Sequence, residues 1–263
     1  MNDCVKYERL PMKKSSAYSA PALSRGLQIL EILSTKSDPM TTHEIASELG
    51  RNRNEIFRVI AVLEAEGYLK KGHEGIGYAL SGKLLMLGLS SPEILDIFDA
   101  VSPLAAELSA TLGAPCHLAL PSQDEMIVIK RWEPKLRLSI NVPVATRRAL
   151  EITGSGIVML CSMTPAELDS SLDLIKARSS SFRLKDLEPY KKKLKANGVL
   201  LFDSKLMDGV VDLSVPLTSK GGQLHGALTC PYANNATCDA NIEEISNALF
   251  QIANKISNML IRS

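Results

Sequence analysis

The residues from Thr41 to Leu69, TTHEIASELGRNRNEIFRVIAVLEAEGYL, predict two short helices joined by a tight turn. Thr41 and Glu44 have the S/T-x-x-E spacing of a capping box, which satisfies free backbone N–H groups at a helix start. Gly50 can end this first helix because glycine adopts a left-handed conformation without steric cost. Asn52 is a suitable cap for a second helix, which therefore begins almost at once.

The second helix of this pair has one apolar face and one polar face. Glu55 follows the Asn52 cap by three residues, and Gly67 is expected to end the helix. At about 100° of rotation per residue, the apolar face consists of Ile56, Val59, Ile60 and Leu63. The opposite face presents Asn54, Arg58 and Ala61. A helix divided in this way packs one face against a core and leaves the other available to a partner.

The flanking segments complete a winged helix-turn-helix. The stretch from Pro21 to Leu33 has leucines at positions 23, 27, 30 and 33, a helical spacing that predicts a preceding helix. Residues 68–71 and 77–80 predict two short strands around the loop 73–76. Three helices followed by a small hairpin are the elements of a winged helix-turn-helix domain.

The polar face and the hairpin carry residue types that DNA recognition requires, since donors near the start of a recognition helix reach phosphates and base edges. The expected DNA-binding residues are Arg51, Arg53, Asn54, Phe57 and Arg58 of the helical region, with Lys70 and Lys71 of the hairpin. Of these, Asn54 and Arg58 would contact bases, and the two lysines would bind phosphates. The alternative is a three-helix subdomain with a solvated polar face. Residues 13–83 contain ten basic and eight acidic residues, so charge does not decide between the two.

The composition is that of an ordinary globular protein. Of its 263 residues, 45% are hydrophobic and 22% charged, which excludes a disordered or collagen-like chain, and the net charge of +1 favours no partner. No run of about 18 apolar residues is present, and the first 19 residues lack the apolar core of a secretory signal. Five scattered cysteines, at positions 4, 116, 161, 230 and 238, fit free thiols. We therefore expect a cytoplasmic protein without a membrane partner.

The second half of the chain predicts strands surrounded by helices. The predicted strands are 116–120, 126–132, 136–142, 199–203, 210–217 and 226–232. The predicted helices are 154–161, one from a second capping box at Thr164 to about 175, 187–196 and about 239–261. This arrangement indicates an α+β ligand-binding domain.

The sequence resembles the IclR family of bacterial transcriptional regulators. In the first half the resemblance rests on SRGLQILEILS (24–34), TTHEIASELG (41–50), NEIFRVIAVLEAEGYL (54–69) and GYALSGKLLMLG (77–88). In the second half it rests on the shorter matches HLAL (117–120), GSG (154–156), DGVVDLSVPL (208–217) and GQLHGAL (222–228). The resemblance covers the chain from about residue 22 to its end.

This resemblance implies a domain organisation and a set of partners. Residues 1–20 would form a mobile arm, 21–83 the winged helix-turn-helix domain, 84–112 a linker helix and a connecting helix, and 113–263 a GAF-like α/β domain for effector binding and oligomerisation. The implied partners are operator DNA, a small organic, aromatic or sugar-derived metabolite, and further copies of the chain in a homodimer or homotetramer.

The family's effector pocket lies where a glycine-rich helix start meets later strands. Carried over position by position, this implicates Gly154, Ser155, Asp203, Asp212 and Thr229. Backbone N–H groups at a helix start attract oxygen ligands. The run ATRRALEITGSGIVM lacks the histidine and the lysine usual around this helix in the family. Two carboxylates in the pocket would disfavour a carboxylate effector, which leaves a hydroxyl-rich ligand, a cationic ligand or a metal open.

Several other motifs carry weaker hypotheses. Residues 77–84 resemble a phosphate-binding loop, but Leu84 replaces the hydroxyl residue that would hold magnesium. The cysteines and histidines lack the close paired spacing of a zinc site, and no triad favours a hydrolase. The basic run 176–195 favours a solvated surface over a second nucleic-acid site. Trp132 fits a pocket border, a subunit interface or a core position equally well.

The sequence therefore predicts an effector-responsive transcriptional repressor of a catabolic operon, with no catalytic residues, no metal and no cofactor. The alternative is a small-molecule-binding protein whose winged helix mediates protein–protein contacts. An unchanged affinity for any DNA after Arg58→Ala would favour that alternative, and turnover of the ligand would instead indicate an enzyme.

Overall fold

The structure, a computed structural model, describes residues 20–134, 140, 142–179, 181–233 and 241–260. The chain divides into two compact units, Met1–Ser91 and Pro92–Ser263. The arm expected over residues 1–20 lies outside the described residues except for Ala20. No helix of the described ranges is long and apolar enough to cross a membrane.

The N-terminal unit contains the elements of a winged helix-turn-helix. Its elements are α1 (Pro21–Ser34), α2 (Thr42–Leu49), α3 (Arg53–Ala65), β1 (Leu69–Lys71), β2 (Tyr78–Leu80) and α4 (Lys83–Leu89). The strands β1 and β2 pair antiparallel and form a hairpin that we call the wing. The core of this unit joins all three of the first helices to the wing through Ile29, Leu33, Ile45, Ala46, Ile56, Ile60, Leu69 and Tyr78.

The helix ends of this unit lie where the sequence predicted them, and only the role of Glu55 differs. Thr41 and Glu44 form the predicted capping box, and Gly50 ends α2 with a φ of 61°. Asn52 caps α3 by accepting the backbone N–H of Asn54 at 2.8 Å. Glu55 takes no part in this cap, because its carboxylate forms an ion pair with Arg25 of α1. The acidic residue therefore links the first helix to the third.

The C-terminal unit is built around one antiparallel sheet. Its strands are β3 (Cys116–Ser122), β4 (Glu125–Trp132), β5 (Arg147–Ala149), β6 (Leu200–Asp203), β7 (Val210–Thr218) and β8 (Leu224–Ala233). Its helices are α5 (Pro92–Leu112), α6 (Gly154–Ser162), α7 (Pro165–Arg178), α8 (Glu188–Asn197) and α9 (Ile242–Met259). The strand order is β5-β4-β3-β8-β7-β6, and every pair in it is antiparallel.

Helices cover both faces of this sheet. On one face α5 and α9 pack around Val101, Leu213, Leu228 and Leu249. On the other face α6, α7 and α8 pack around a second core that includes Ile157, Leu172 and Phe202. The predicted mixed α+β fold is thus confirmed, and its long strands are buried because each face has its own helical layer.

One predicted strand of this unit is not tested by the structure, and one observed strand was not predicted. The strand predicted over 136–142 lies outside the described residues apart from positions 140 and 142, which are not in a strand. The sequence did not indicate β5, which pairs with β4 through Arg147, Arg148 and Ala149. Three residues with two arginines give no apolar alternation, so only pairing with a longer strand defines this element.

Candidate nucleic-acid interface and ligand site

The exposed face of α3 presents the hydrogen-bond donors that the sequence indicated. Ile56 and Ile60 are fully buried, so one face of α3 packs against the core of the N-terminal unit. On the opposite face Asn54 and Arg58 are exposed, and 54% of Phe57 is accessible. Because none of these three side chains supports the core, the face can contact a partner without unfolding the unit.

The turn that leads into α3 adds further positive charge beside this face. Arg51 and Arg53 are both exposed and flank the Asn52 cap. The backbone N–H of Arg51 donates to the Ala46 carbonyl at 3.0 Å and fixes the turn after α2. Two arginines thus stand at the N-terminal end of α3, where the helix dipole also favours an anion.

The two lysines of the wing differ from each other. Lys70 is exposed. The Lys71 ammonium donates a 2.6 Å hydrogen bond to the Tyr78 hydroxyl and lies 3.9 Å from the Glu64 carboxylate. The hydrogen bond to Tyr78 raises the pKa of Lys71, so its charge is retained while its position is fixed. Lys70 is therefore the freer of the two for a phosphate.

A second group of polar side chains lies inside the C-terminal unit, on the sheet face that α6 covers. We call it the polar row; it consists of Asp212 and Ser214 of β7, Thr229 of β8 and His117 of β3. Ser214 pairs with Thr229, and Thr229 pairs with His117, so these three side chains are cross-strand neighbours. The Ser214 and Thr229 hydroxyls are 2.9 Å apart and hydrogen-bonded.

The start of α6 lies directly against this row. The Gly154 backbone N–H donates to the Asp212 carboxylate at 3.2 Å. A Cβ at Gly154 would lie 2.5 Å from Asp212 Cβ, and a Cβ at Gly156 would lie 2.2 Å from the Leu150 carbonyl oxygen. Glycine is therefore required at both positions because backbone and side chain approach more closely than any larger residue allows. Ser155, between them, is buried.

Burial sets the charge of the polar row. It raises the pKa of Asp212, and the Gly154 N–H partly opposes that effect. Burial also lowers the pKa of His117 to about 4, so the imidazole is neutral near pH 7. His117 is 4% exposed, and no hydrogen-bond partner for its imidazole is found among the described residues. The row thus combines one carboxylate, two hydroxyls and one neutral imidazole.

Asp203 does not join this group. In the β6–β7 register Phe202 lies opposite Asp212, whereas Asp203 lies opposite Val211. Because successive side chains of a strand point to opposite faces, Asp203 is exposed on the other side of the sheet from Asp212. The structure therefore does not bring the two expected carboxylates together, whereas Gly154, Ser155, Asp212 and Thr229 lie near one another.

His117 and Ser214 are the two residues of the polar row to which the sequence reasoning assigned no role in effector binding. For His117 the missed evidence can be named. The signal was present in strand alternation, since Cys116 and Leu118 belong to the core under α5 and α9. Their neighbour His117 must then point to the α6 face. The pairing of β3 with β8, which the sequence does not reveal, places it beside Thr229.

The remaining motifs have structural explanations. Residues 77–84 span β2 and the start of α4, and Trp132 packs against the core under α5 and α9. In the basic run, Lys176 pairs with Asp173, and Arg178 pairs with Asp124 and Glu151. Among the described residues no three His, Cys, Asp or Glu side chains form a group that could hold a metal ion.

Comparison with known proteins places both units in one family. Residues 22–72 match the IclR helix-turn-helix domain, and residues 91–258 match the bacterial transcriptional regulator IclR C-terminal domain. The chain is 22% identical over 240 residues to the HTH-type transcriptional regulator BhcR of Paracoccus denitrificans, across 90% of this chain and 86% of that protein. It is 20% identical over 168 residues to the transcriptional repressor IclR of Escherichia coli, across 61% of each chain. The match to an HTH-type transcriptional regulator of Haemophilus influenzae, at 28% identity over 123 residues, spans only 46% of that protein's length.

Solved structures of this family share the fold. An IclR homologue from Microbacterium hydrocarbonoxydans, crystallised in complex with 4-hydroxybenzoate, superposes with a TM-score of 0.74 at 18% identity. The superposition covers 91% of this chain and 98% of that one. Together, the two matched domains and the shared fold show that this chain belongs to the IclR family of bacterial transcriptional regulators.

Proposed function

We propose that this chain is a cytoplasmic, effector-responsive repressor that binds an operator through α3 and a small metabolite at the polar row. The proposal rests on the two faces of α3. Ile56 and Ile60 lie in the core, whereas Asn54 and Arg58 on the opposite face are exposed. A major groove accepts an α-helix, and arginine and asparagine are suited to hydrogen bonding with base edges. Repression is proposed because several relatives, among them IclR of Escherichia coli, are named repressors.

On the DNA, each part of the unit would have its own role. Asn54 and Arg58 would read base edges, and Arg53 and Phe57 would lie at the groove edge. Arg51 and the lysines of the wing would bind phosphates, which position the protein without reading sequence. Lys70 would contribute more than Lys71, whose ammonium is already held by Tyr78.

We propose further that the chain acts as a homodimer or homotetramer. The helix α4 buries no residue, although most of its side chains are apolar. Its exposed large apolar residues are Leu84, Leu85, Met86, Leu87 and Leu89. An exposed apolar surface of this kind is typical of a protein–protein contact, and a dimer would present two recognition helices to two half-sites at fixed spacing.

The metabolite would bind alongside the contact between the start of α6 and the polar row, near Gly154, Ser155, Asp212, Thr229 and His117. A ligand at this place would bridge a helix and three strands, so it can favour one arrangement of the C-terminal unit over another. A ligand shifts an equilibrium by its difference in affinity for the two states. The proposed consequence is an altered operator affinity, for example at a catabolic operon.

Fluorescence anisotropy of the full chain on labelled DNA from upstream of its own gene tests the DNA-binding part. Scrambled DNA of the same length serves as competitor, at two salt concentrations. We expect the wild type to prefer its upstream DNA, and Arg58→Ala to weaken binding by about tenfold or more. The exposed Lys192→Ala on α8 is the matched control, which removes a positive charge far from α3 in sequence.

Equal binding to both DNAs, or equal binding by the wild type and Arg58→Ala, would contradict operator recognition by α3. That result would favour a winged helix that contacts another protein. Small-molecule fractions added to the same assay then test whether a ligand changes the affinity for the operator.

A further inference from the structure

We propose that Asp212 makes the effector site selective for a hydrogen-bond donor, so that an uncharged polyol or an amine binds there in preference to a carboxylate. The inference rests on the proposed effector function and names the chemical class of the ligand. This ligand class differs from the one that a glycine-rich helix start favours by itself, because free N–H groups at a helix N-terminus attract anions.

At the start of α6 the protein supplies its own oxygen acceptors for the N–H groups of Gly154, Gly156 and Ile157. The Gly154 N–H donates to the Asp212 carboxylate at 3.2 Å. The Gly156 N–H donates to the Thr153 hydroxyl at 3.1 Å, and the Ile157 N–H to the Thr153 carbonyl at 2.9 Å. A carboxylate from a ligand would compete with these acceptors. It would also meet the Asp212 carboxyl at close range, where a second negative charge would raise the pKa of Asp212 beyond the rise that burial already causes, at a cost in free energy.

The rest of the polar row offers no positive charge to offset that repulsion. Burial keeps the His117 imidazole neutral near pH 7, and the Ser214 and Thr229 hydroxyls are hydrogen-bonded to each other. Two cations lie around the row. The Lys205 ammonium donates to the Glu151 carbonyl at 3.2 Å and lies 5.6 Å from the ring of Phe202, the cross-strand neighbour of Asp212, so it is already engaged by these groups. The other cation is Arg131, opposite His117 on β4. Arg131 forms an ion pair with Glu133 at 2.7 Å and is three strands away from Asp212, about 14 Å at ordinary strand spacing.

A donor group would satisfy the acceptors that the row presents. An ammonium or a hydroxyl can donate to Asp212, and a half-buried carboxyl whose pKa is raised is stabilised in its ionised form by a charged or strongly donating partner. The neutral His117 imidazole, 4% exposed and without a partner among the described residues, can donate or accept a second hydrogen bond from a polyol. The site thus matches hydroxyl and ammonium groups and opposes an anion.

The test uses the full-length protein and a bacterial small-molecule extract, divided by ion exchange into cationic, neutral and anionic fractions. Native mass spectrometry measures which fraction yields a protein–ligand complex. Asp212→Asn removes the charge but keeps an acceptor for the Gly154 N–H, so the fold is retained. Asp203→Asn makes the same change on the exposed opposite face and is the matched control.

We expect the wild type to retain a ligand from the cationic or neutral fraction. Asp212→Asn should weaken that retention by at least about tenfold, whereas Asp203→Asn should leave it unchanged. Retention from the anionic fraction by the wild type, or equal loss in the two variants, would overturn the inference.

If the wild type retains nothing from any fraction, the effector function itself fails and this inference fails with it. Operator recognition by α3 is measured separately by the Arg58→Ala comparison, so it survives or fails by its own result. If the wild type retains a ligand only from the anionic fraction, the effector function stands and the selectivity assigned to Asp212 does not.

Discussion

The exposed face of α3 and the polar row of the C-terminal unit both consist of polar side chains, but they differ in their surroundings: the first faces solvent and the second lies inside the fold. Asn54 and Arg58 are exposed on one side of a helix whose other side forms the core. Thr229 is fully buried, and Asp212 is fixed against the start of α6. Polar groups on a surface exchange water for a ligand at little cost, whereas buried ones must be satisfied inside the fold.

Because of this difference we expect the two sites to respond to mutation in different ways. Changes to the α3 face are expected to alter DNA affinity while the free energy of unfolding stays within about 0.5 kcal/mol. Changes at the polar row are expected to alter stability and ligand binding together. The following variants test that separation.

The largest effect is expected from Gly156→Ala, which places a methyl group 2.2 Å from the Leu150 carbonyl oxygen. Backbone atoms cannot move as a flexible side chain can, so α6 must shift away from the sheet. We expect the free energy of unfolding of the C-terminal unit to fall by about 3 kcal/mol, measured by urea denaturation. Gly82→Ala is the control, because a Cβ there meets nothing within 4 Å. Equal stabilities of the two variants would show that the close packing of α6 is not required.

The second effect concerns His117, whose pKa burial lowers to about 4. Below the ordinary histidine pKa of about 6.5 the unfolded chain binds a proton that the folded chain does not, so stability falls as the pH falls. We expect the contribution of His117 to decrease by about 3 kcal/mol between roughly pH 6.5 and pH 4.

Urea denaturation at a series of pH values measures this decrease. His117→Gln should remove it, because glutamine does not titrate. His43→Gln changes an exposed histidine of the N-terminal unit and should retain the wild-type fall. A His117→Gln profile that matches the wild type would mean that the imidazole is not held neutral by burial.

A smaller and equal effect is expected in the two units when each loses its capping box. Thr41 caps α2 and Thr164 caps α7, each with a glutamate at the third helical position. We expect Thr41→Ala and Thr164→Ala each to cost about 1 kcal/mol, because backbone N–H groups lose their acceptor. Limited proteolysis should locate each loss in its own unit. Destabilisation of both units by either variant would contradict the expectation that each cap acts within its own unit.

The smallest effect separates the two lysines of the wing. Each phosphate contact contributes about one unit to the slope of log affinity against log salt concentration. Lys70→Ala should reduce the slope by about one unit, and Lys71→Ala by less, since the Lys71 ammonium already donates to Tyr78. Anisotropy at four salt concentrations measures both slopes. A larger change for Lys71→Ala would mean that DNA displaces the Tyr78 hydrogen bond.

The sequence predicted the recognition helix closely because its determinants are local. The capping box at Thr41, the left-handed Gly50 and the Asn52 cap all act within a few residues of the helix that they begin or end. Glu55 was harder to interpret, since its partner Arg25 is 30 positions earlier and comes close only when α1 packs against α3. The DNA contacts themselves stay predictions.

The polar row was harder to predict because its members come from three strands that are distant in sequence. Strand alternation could indicate the face of each residue, but only the order of strands in the sheet brings His117 beside Thr229. The same register separates Asp203 from Asp212, although both lie near a single turn. A shift by one residue along a strand exchanges the two faces, so a match by sequence position does not fix which side chains meet.

By itself, the sequence determined the helices, the wing and most strands, together with the exposed donors of α3, because caps and hydrophobic periodicity act over a few residues. Tertiary structure decided which polar groups share the face under α6. It also decided that Gly154 donates to Asp212 and that His117 is buried and neutral. The physical reason is that burial and long-range hydrogen bonding depend on which strands become neighbours, and no local pattern records that choice.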